Sequence, residues 1–552
     1  MKFIVKLFLI LSMSVLANAN PQVKQASLEA LDFIASVYSI SYSPAPWKKQ
    51  FDNWDIELEY QKARELIEQD SDLTIAEAKK AIMSFVYSTR DYHVSIRFHS
   101  TEQSSLGFTV RSAEGRYFIV HVDRNKLSAH SFPFEAGDEI IEFDGKPVNE
   151  VVQSLKIYEN NVEQTDQALA EFALTNRRAN RGYSVPRGPL LITVKPKNKD
   201  KIVSRQLIWE YTPELVPNLD MSMKDPIKDP LFAKPEIKSP MMNYAADTFD
   251  LNPQNIGEKN GYLPDLGKAE EVEELEDSLF RAYVYQEGEE KIGVVRIPTY
   301  SVSDYNKSIE SFEKIIAYME EHTDKLVIDQ LNNPGGSVFY LYALASNLSD
   351  QALETPKHKM SITPTQVASC AALSGILNAI RSDSDAIKLI GERISGFPVS
   401  LQFINFYKGY CELFLEEWKK GKTMSKPHWI AGVDKINPNI THYTKPILVL
   451  INELDFSGGD FFPTIMQDNK RATIMGVRTA GAGGYVLGYS FPNLLGISNF
   501  RVTESLAYRV DQNPIENLGV SPDIEAKLTV NDLQNNYVDY VKKVKEAVRN
   551  LK

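Results

Sequence analysis

The chain has 552 residues, 43% of them apolar and 24% charged. That length exceeds what one hydrophobic core organises and suggests roughly three or four domains, and the composition is that of a folded chain, not a disordered one. The balance of 61 Lys plus Arg against 73 Asp plus Glu, a net charge of −12, leaves no general attraction for nucleic acid or anionic lipid.

At the N-terminus, Lys2 and Lys6 flank the start of an apolar run that reaches Val15, and Ala17-Asn18-Ala19 supplies a small-residue cleavage pattern. This reads as a secretory signal peptide over 1–19, so export is expected, to the periplasm, the medium or a host cell. An uncleaved anchor is disfavoured because the run is short for a bilayer span and no stop-transfer pattern follows. Cys370 and Cys411 are the only cysteines, which excludes a disulfide framework and leaves one bridge or two buried thiols open.

From Pro21 to about Tyr87 apolar residues fall at helical spacing, as in Ile75, Ala78, Ile82, Phe85 and Val86, and a helical region over 20–100 is expected. The period changes at Asp91. Val94, Ile96 and Phe98 alternate with His93, Ser95 and Arg97, which predicts an extended segment with His93 on its polar face. In 101–210, Ser105-Leu106-Gly107-Phe108 precedes short strands, then Ala136-Gly137-Asp138-Glu139-Ile140-Ile141 and Phe143-Asp144-Gly145. These pieces resemble a PDZ domain, a fold that takes peptides by strand addition. The stretch Val151 to Arg178 interrupts it where the groove-lining helix should be.

Over 211–280, Pro213, Pro217, Pro226, Pro230, Pro235, Pro240, Pro253 and Pro264 break every periodic pattern, which predicts a linker or surface segment without its own core. The acidic run Glu270 to Asp277 reads as a solvated helix face. An α/β rhythm over 281–530 follows. Ile292 to Ile297 is a strand, Ile309, Phe312, Ile315, Ile316 and Met319 stripe a helix, and Leu326 to Ile328 is a strand that Asn332-Asn333-Pro334-Gly335-Gly336 turns into the next helix. A largely helical insertion spans about 354–444. Ile447 to Ile451 is an unbroken apolar run, as in a strand buried on both faces.

Ser457-Gly458-Gly459 comes next, with Phe461, Phe462, Ile465 and Met466 at helical spacing. A serine where a buried strand hands over to a helix sits on an exposed tip. Its Oγ can be offered to a substrate while the Gly458 and Gly459 amides point into the same space, at the positive end of the helix. An acyl-transfer nucleophile needs that geometry. Ser and Gly are also ordinary helix-start residues, so the short motif does not decide by itself. Strands at Ala472 to Gly476 and Ser505 to Val510 and a final amphipathic helix over 531–552 complete the chain.

Taken together, Asn-Asn-Pro-Gly-Gly at 332–336, Ser-Gly-Gly at 457–459, Gly-x-x-Thr-x-Gly at 476–481 and Gly-Val-x-Pro-Asp-Ile at 519–524 resemble the S41, or C-terminal-processing, serine peptidases. The resemblance implies a multidomain α/β protein: a crotonase/Clp-like catalytic core, an inserted PDZ-like β domain and an N-terminal helical region. Tail-specific members use a Ser-Lys dyad with the lysine in Thr-x-Gly-Lys-Gly. Here the stretch is Thr479-Ala480-Gly481-Ala482-Gly483, and alanine cannot take a proton. Lys470 lies outside the motif and reads as a surface residue.

The arrangement is instead similar to the Ser-His-Glu branch, whose histidine precedes the PDZ-like part and whose glutamate lies near the C-terminal end. His93 in Asp-Tyr-His and Glu516 in Ile-Glu-Asn-Leu-Gly-Val match those places. The resemblance implies Ser457 as nucleophile, His93 as a base titrating at about 6 to 7.5, Glu516 as the orienting acid, and oxyanion donors at Gly458 and at Gly335 or Gly336. It also implies protein or peptide substrates, a latent precursor with an inhibitory segment inside 212–277, and a homodimer when active. No metal or cofactor is implied, since there is no His-Glu-x-x-His and the eight histidines are scattered. A non-catalytic binding protein on the same fold and an esterase are the alternatives.

Overall fold

The apolar run Ile447–Ile451 lies inside a seven-stranded sheet of order Glu270–Glu271, Arg281–Glu287, Glu290–Arg296, Lys325–Asp329, Ile447–Ile451, Thr473–Gly476 and Ile524–Glu525. From Glu290–Arg296 onward every pairing is parallel. The computed structural model describes residues 19–157, 162–197, 199, 201–215, 256–272 and 278–552. The expected leader, apart from Ala19, lies outside the described residues, as do 216–255 of the Pro-rich segment and 273–277 of the acidic run.

Why the strand reads as unbroken is visible in its two faces. Leu326, Ile328, Ile447, Val449 and Ile451 pack with Ile309, Phe312, Phe462 and Ile465 from helices Tyr305–His322 and Gly458–Asp468. Val327, Leu448, Leu450 and Met475 pack on the opposite side with Tyr540, Val544 and Val548 of helix Val538–Asn550. Both faces are dry, so alternation disappears. Because these strands are parallel, the turns after Asp329, Ile451 and Gly476 all emerge at one edge, where α/β sheets place their sites.

Helices Ala19–Ser41, Ala45–Asp52, Ile56–Gln69 and Ile75–Tyr87 precede the sheet. The second pair of junctions is set by local chemistry: Asp55 caps Ile56–Gln69 through the Glu57 and Leu58 amides, and Thr74 with Glu77 forms a capping box. Leu31, Ile34, Ile82 and Phe85 from this region share one core with Phe456, Ala480, Ala482 and Phe500. The N-terminal helices therefore wall the same edge of the sheet.

The extended segment expected from Asp91 is shorter than its pattern suggests. Only Ser95–Phe98 forms a strand, paired antiparallel with Ile497–Thr503, a strand not anticipated from the sequence. Ahead of it the Asp91 carboxylate accepts the His93 N–H at 2.8 Å, and Val94 N–H reaches Asp91 O at 3.1 Å. An Asp that captures the backbone two residues on makes a turn. His93 is consequently buried in that turn and not on a polar strand face.

The PDZ-like unit is an antiparallel sheet of order Phe108–Ala113, Arg116–Val122, Glu139–Phe143, Pro189–Lys195 and Val203–Ile208. The stretch from Val151 to Arg178 is largely helical, with the end of Val148–Gln153 and all of Glu163–Thr175, and Ala170 and Leu174 of the latter enter the core of the unit. Arg111 pairs with Glu453, and Thr165 Oγ donates to Glu453 O at 2.9 Å, which binds the unit to the loop ahead of Ser457.

Residues 256–272 are docked, contrary to the expectation of a coreless segment. Leu266 is buried and its N–H reaches Tyr283 Oη at 3.1 Å. Glu270–Glu271 pairs with Arg281–Glu287 as a strand, not as a helix face. In the insertion, Cys370 of Pro364–Ala379 and Cys411 of Leu401–Lys419 are free and buried. Among the described residues no helix is long and apolar enough to cross a membrane.

Candidate active site

Ser457 stands at the hand-over from strand to helix with φ 54° and ψ −112°. A non-glycine residue in that region is strained, and the strain persists only where its surroundings dictate it. Here they do. Gly459 N–H reaches Phe456 O at 2.7 Å, while Asp460 and Phe461 N–H reach Ser457 O at 2.8 and 2.9 Å. The sharp turn is the shape that lifts a serine Oγ out of a strand-to-helix corner. Pro463 in the following helix has no N–H for Gly459 O, and Gln330 Nε2 fills the vacancy at 2.8 Å.

The Asn332–Gly336 turn meets this corner directly. Phe456 N–H donates to Asn333 O at 3.0 Å. A Cβ placed on Gly335, whose φ is +88°, would lie 2.6 Å from Phe456 O and 2.8 Å from Ser457 Cβ. Only glycine tolerates both the angle and the approach. The two glycines grouped by sequence now separate: Gly335 N–H is spent on Asn333 Oδ1 at 2.9 Å, whereas Gly336 and Gly458 N–H have no acceptor among the described residues. A Cβ on Gly458 would sit 3.3 Å from Gly336 N, so these amides are neighbours. Two adjacent unspent N–H groups beside a serine can receive a developing oxyanion.

Two buried carboxylates brace the corner. Asp455 accepts Asn333 N–H and Asn452 N–H, both at 2.9 Å, and Gln330 Nε2 at 3.1 Å. Asp460 accepts Thr479 Oγ at 2.5 Å, Gly481 N–H at 2.8 Å and Ala482 N–H at 3.0 Å. Thr479 Oγ in turn accepts Val520 N–H at 2.8 Å, which explains why the Thr-x-Gly and Gly-Val motifs travel with the serine. Burial pushes Asp455 well above the usual carboxylate range and Asp460 up to about 6 despite these donors.

His93 and Glu516 lie on this edge too. The Tyr92 ring meets the Phe456 ring edge-on at 5.7 Å, so the residues preceding His93 and Ser457 touch. Neither ring nitrogen of His93 has a hydrogen-bond partner among the described residues. Burial pushes His93 down to about 4, with Asp91 opposing and Arg501 adding to the fall, below the range expected from its residue type. Glu516 is buried and does not bond the imidazole: Oε1 accepts Lys48 Nζ at 2.5 Å and Oε2 accepts Gly483 N–H at 3.1 Å. Burial raises Glu516 to about 8, Asp91 adds to the rise and Lys48 opposes it.

His358 is a surprise. It lines the cleft at Ser457 together with Gly336, Val338, Leu341, Ile430 and Phe461. Its ring stacks on Phe461 at 5.5 Å, its Nδ1 lies 3.0 Å from Ser505 Oγ, and burial pushes it down to about 3. Lys470, by contrast, is exposed just beyond the far end of helix Gly458–Asp468. Lys48, Asp455, Asp460 and His358 were missed by sequence reasoning. Asp455 and Asp460 flank Ser457 closely enough to have been suspected, whereas Lys48 and His358 carry no local signal. Among the described residues no cluster of His, Cys, Asp and Glu could hold a metal ion.

An elbow serine with adjacent amides, on a parallel sheet bound to a PDZ-like unit, defines a serine peptidase. Family comparisons agree: a PDZ domain matches residues 102–219 and peptidase family S41 matches residues 291–526. A protein of Chlamydia muridarum (strain MoPn / Nigg) is 34% identical over 96% of this chain and 93% of its own length. One of Chlamydia trachomatis serovar D is 34% identical over 95% and 92%. A structure of mature CPAF complexed with lactacystin superposes with a TM-score of 0.83 at 32% identity, covering 96% of this chain and 99% of that one. This chain belongs to peptidase family S41, and it is a CPAF-like member.

Two outcomes follow from the geometry. Gly335→Ala should press a methyl group into the Phe456–Gly458 backbone, lower the melting temperature and reduce fluorophosphonate labelling of Ser457 at least about tenfold, since φ is positive and the clash is with main chain. Histidine-selective 15N NMR should find His93 neutral down to about pH 5 and titrating near 4. A midpoint at 6.5 would mean that the ring is hydrated and not buried as described.

Proposed function

We propose that the chain is an exported serine endopeptidase working through Ser457, His93 and Glu516. The observation that carries this reading is the strained Ser457 corner, with two unspent amides beside it and a buried histidine without partners next to the Tyr92–Phe456 contact. Neutral His93 takes the Ser457 proton as Oγ attacks a peptide carbonyl. Gly458 and Gly336 N–H receive the oxyanion, each worth about 3 kcal/mol in the transition state. His93 then returns the proton to the leaving amine, and Glu516 stabilises the imidazolium between those steps. The cleft walls Val338, Leu341, Ile430 and Phe461 suit an apolar side chain beside the scissile bond.

His358 offers a second reading of the base, because it lines the same cleft as Ser457. Against it stand the Ser505 contact at Nδ1 and the stacking of its ring on Phe461. Casein hydrolysis by single variants decides between them. Ser457→Ala and His93→Ala should each lose about three or more orders of magnitude with folding preserved, whereas His358→Ala should retain a measurable fraction. Full activity in His93→Ala together with its loss in His358→Ala would move the base to His358.

The same reading includes a leader peptide removed on export, a latent precursor and an active homodimer. A Pro-rich stretch without a periodic apolar face buries little, so proteases reach it cheaply. Its downstream end is tied beside the site, with Gly257 N–H on Asn332 O at 3.2 Å and Glu258 O accepting Arg296 Nε at 2.9 Å. A cut upstream of Ile256 therefore leaves an anchored C-terminal piece, and the relative bound to lactacystin is described as mature. Purified wild type should split inside 212–277 into two pieces that stay associated, Ser457→Ala should remain one chain, and lactacystin should inhibit. An intact, uncut chain at full activity from the first minute is the result that defeats latency.

A further inference from the structure

A buried charge costs free energy unless it is paired and hydrogen-bonded, so its partners show what it acts on. Lys48, on helix Ala45–Asp52, is 0% exposed. Its ammonium donates to Glu516 Oε1 at 2.5 Å, Asn517 Oδ1 at 2.7 Å and Arg90 O at 3.0 Å. Those three bonds use all three N–H groups of a lysine. Lys48 therefore has nothing left with which to serve Ser457, and it does not replace the dyad lysine whose place Ala482 occupies. The corner it grips is itself rigid: Asn517 has φ +63°, donates through Nδ2 to Arg90 O at 2.9 Å, and accepts Trp47 Nε1 at 3.2 Å.

We infer that Lys48 is a positioning residue of the peptidase site, fixing the Glu516 carboxylate in place and favouring its ionised form for its encounter with the His93 imidazolium. The inference rests on the Ser457–His93–Glu516 reading and adds to it the group that makes the acid usable. Two carboxylates face each other here. Asp91 accepts the His93 N–H and the Tyr42 hydroxyl, at 2.8 and 3.2 Å, and its charge, like burial, works against ionisation of Glu516. Around Glu516 the titratable groups are Lys48, Asp91 and Tyr42, with Arg501 on the His93 side. Arg90 contributes its carbonyl to the cluster, and its guanidinium is paired with Asp52 at 2.9 Å. Lys48 is thus the cation in contact with the acid.

The sign follows. Burial and Asp91 raise Glu516 to about 8 even with Lys48 opposing them. Removing the ammonium raises it further, so the ionised fraction that can balance an imidazolium falls at neutral pH. The rising limb of kcat/KM against pH should move to higher pH.

The test measures pH profiles of peptide hydrolysis for wild type, Lys48→Met, Lys48→Arg, Glu516→Gln and the Lys48→Met/Glu516→Gln pair, each activated in the same way. Lys48→Met should lower kcat at pH 7 about tenfold or more, leave KM within about twofold, and shift the limb upward by about one unit or more. Lys48→Arg, which keeps the charge, should hold the limb where wild type has it. In the Glu516→Gln background, Lys48→Met should cost less than about twofold, and that pair leaves no unmatched buried charge, so it remains informative if Lys48→Met alone fails to fold. An unmoved limb in Lys48→Met, or an equal loss with and without Glu516, reduces Lys48 to packing and overturns the inference. His93→Ala separates the two levels: if it is inactive while Lys48→Met keeps the wild-type limb, only the inference falls, and if it is fully active the triad itself is wrong.

Discussion

The structure depends on a backbone corner that would not persist by itself. Ser457 at φ 54°, ψ −112° is an arrangement costing on the order of 1–3 kcal/mol, and it is held by carboxylates on either side of it in sequence. Asp455 takes hydrogen bonds from the Asn333 turn, and Asp460 takes them from Thr479, Gly481 and Ala482. Neither carboxylate can leave. Without them several buried amides would be orphaned at once, so the nucleophile corner, the glycine turn and the Thr479 loop stand or fall as one unit. The close spacing of the short motifs in space, despite more than a hundred residues between them along the chain, comes from this mutual satisfaction.

Electrostatics in the same region is arranged by burial more than by pairing. His93 is pushed down while Asp460 and Glu516 are pushed up, which is the response of ionisable groups removed from water. A neutral imidazole over most of the pH range is ready to accept a proton. Burial penalises its protonated form, which Asp91 favours and Arg501 disfavours. The N-terminal region supplies part of this environment, since Lys48, Leu31, Ile34 and Phe85 come from its helices and Tyr42 from the turn between the first two. It belongs to the peptidase site as much as the S41 segment does.

The PDZ-like unit is joined to the core through a similar logic. Arg111 meets Glu453 in a partly buried pair, and Thr165 ties the backbone of the same residue. Glu453 lies four positions ahead of Ser457. The PDZ-like unit is therefore tied to the loop ahead of Ser457 by groups whose separation would leave a partly buried charge unmatched.

Period and turn chemistry in the sequence were enough to show an alternation of strands and helices over 281–530. The run Ile447–Ile451 has the length and β-branched content of a strand covered on both faces, and Ser457 with two glycines reads as its hand-over to a helix. The family and the enzyme class followed from motif order. What the sequence did not determine was which side chain each buried group meets. His93 fits an alternating pattern as a polar-face residue, yet the Asp91 side chain takes its amide and turns it inward. Gly335 and Gly336 are indistinguishable as letters, and only the Asn333 side chain separates them. Lys48 reads as one more cation on a short helix. It became an internal charge only when the tertiary fold brought Glu516 to within 2.5 Å of it, because local pattern records which face a residue occupies and not what is packed against that face.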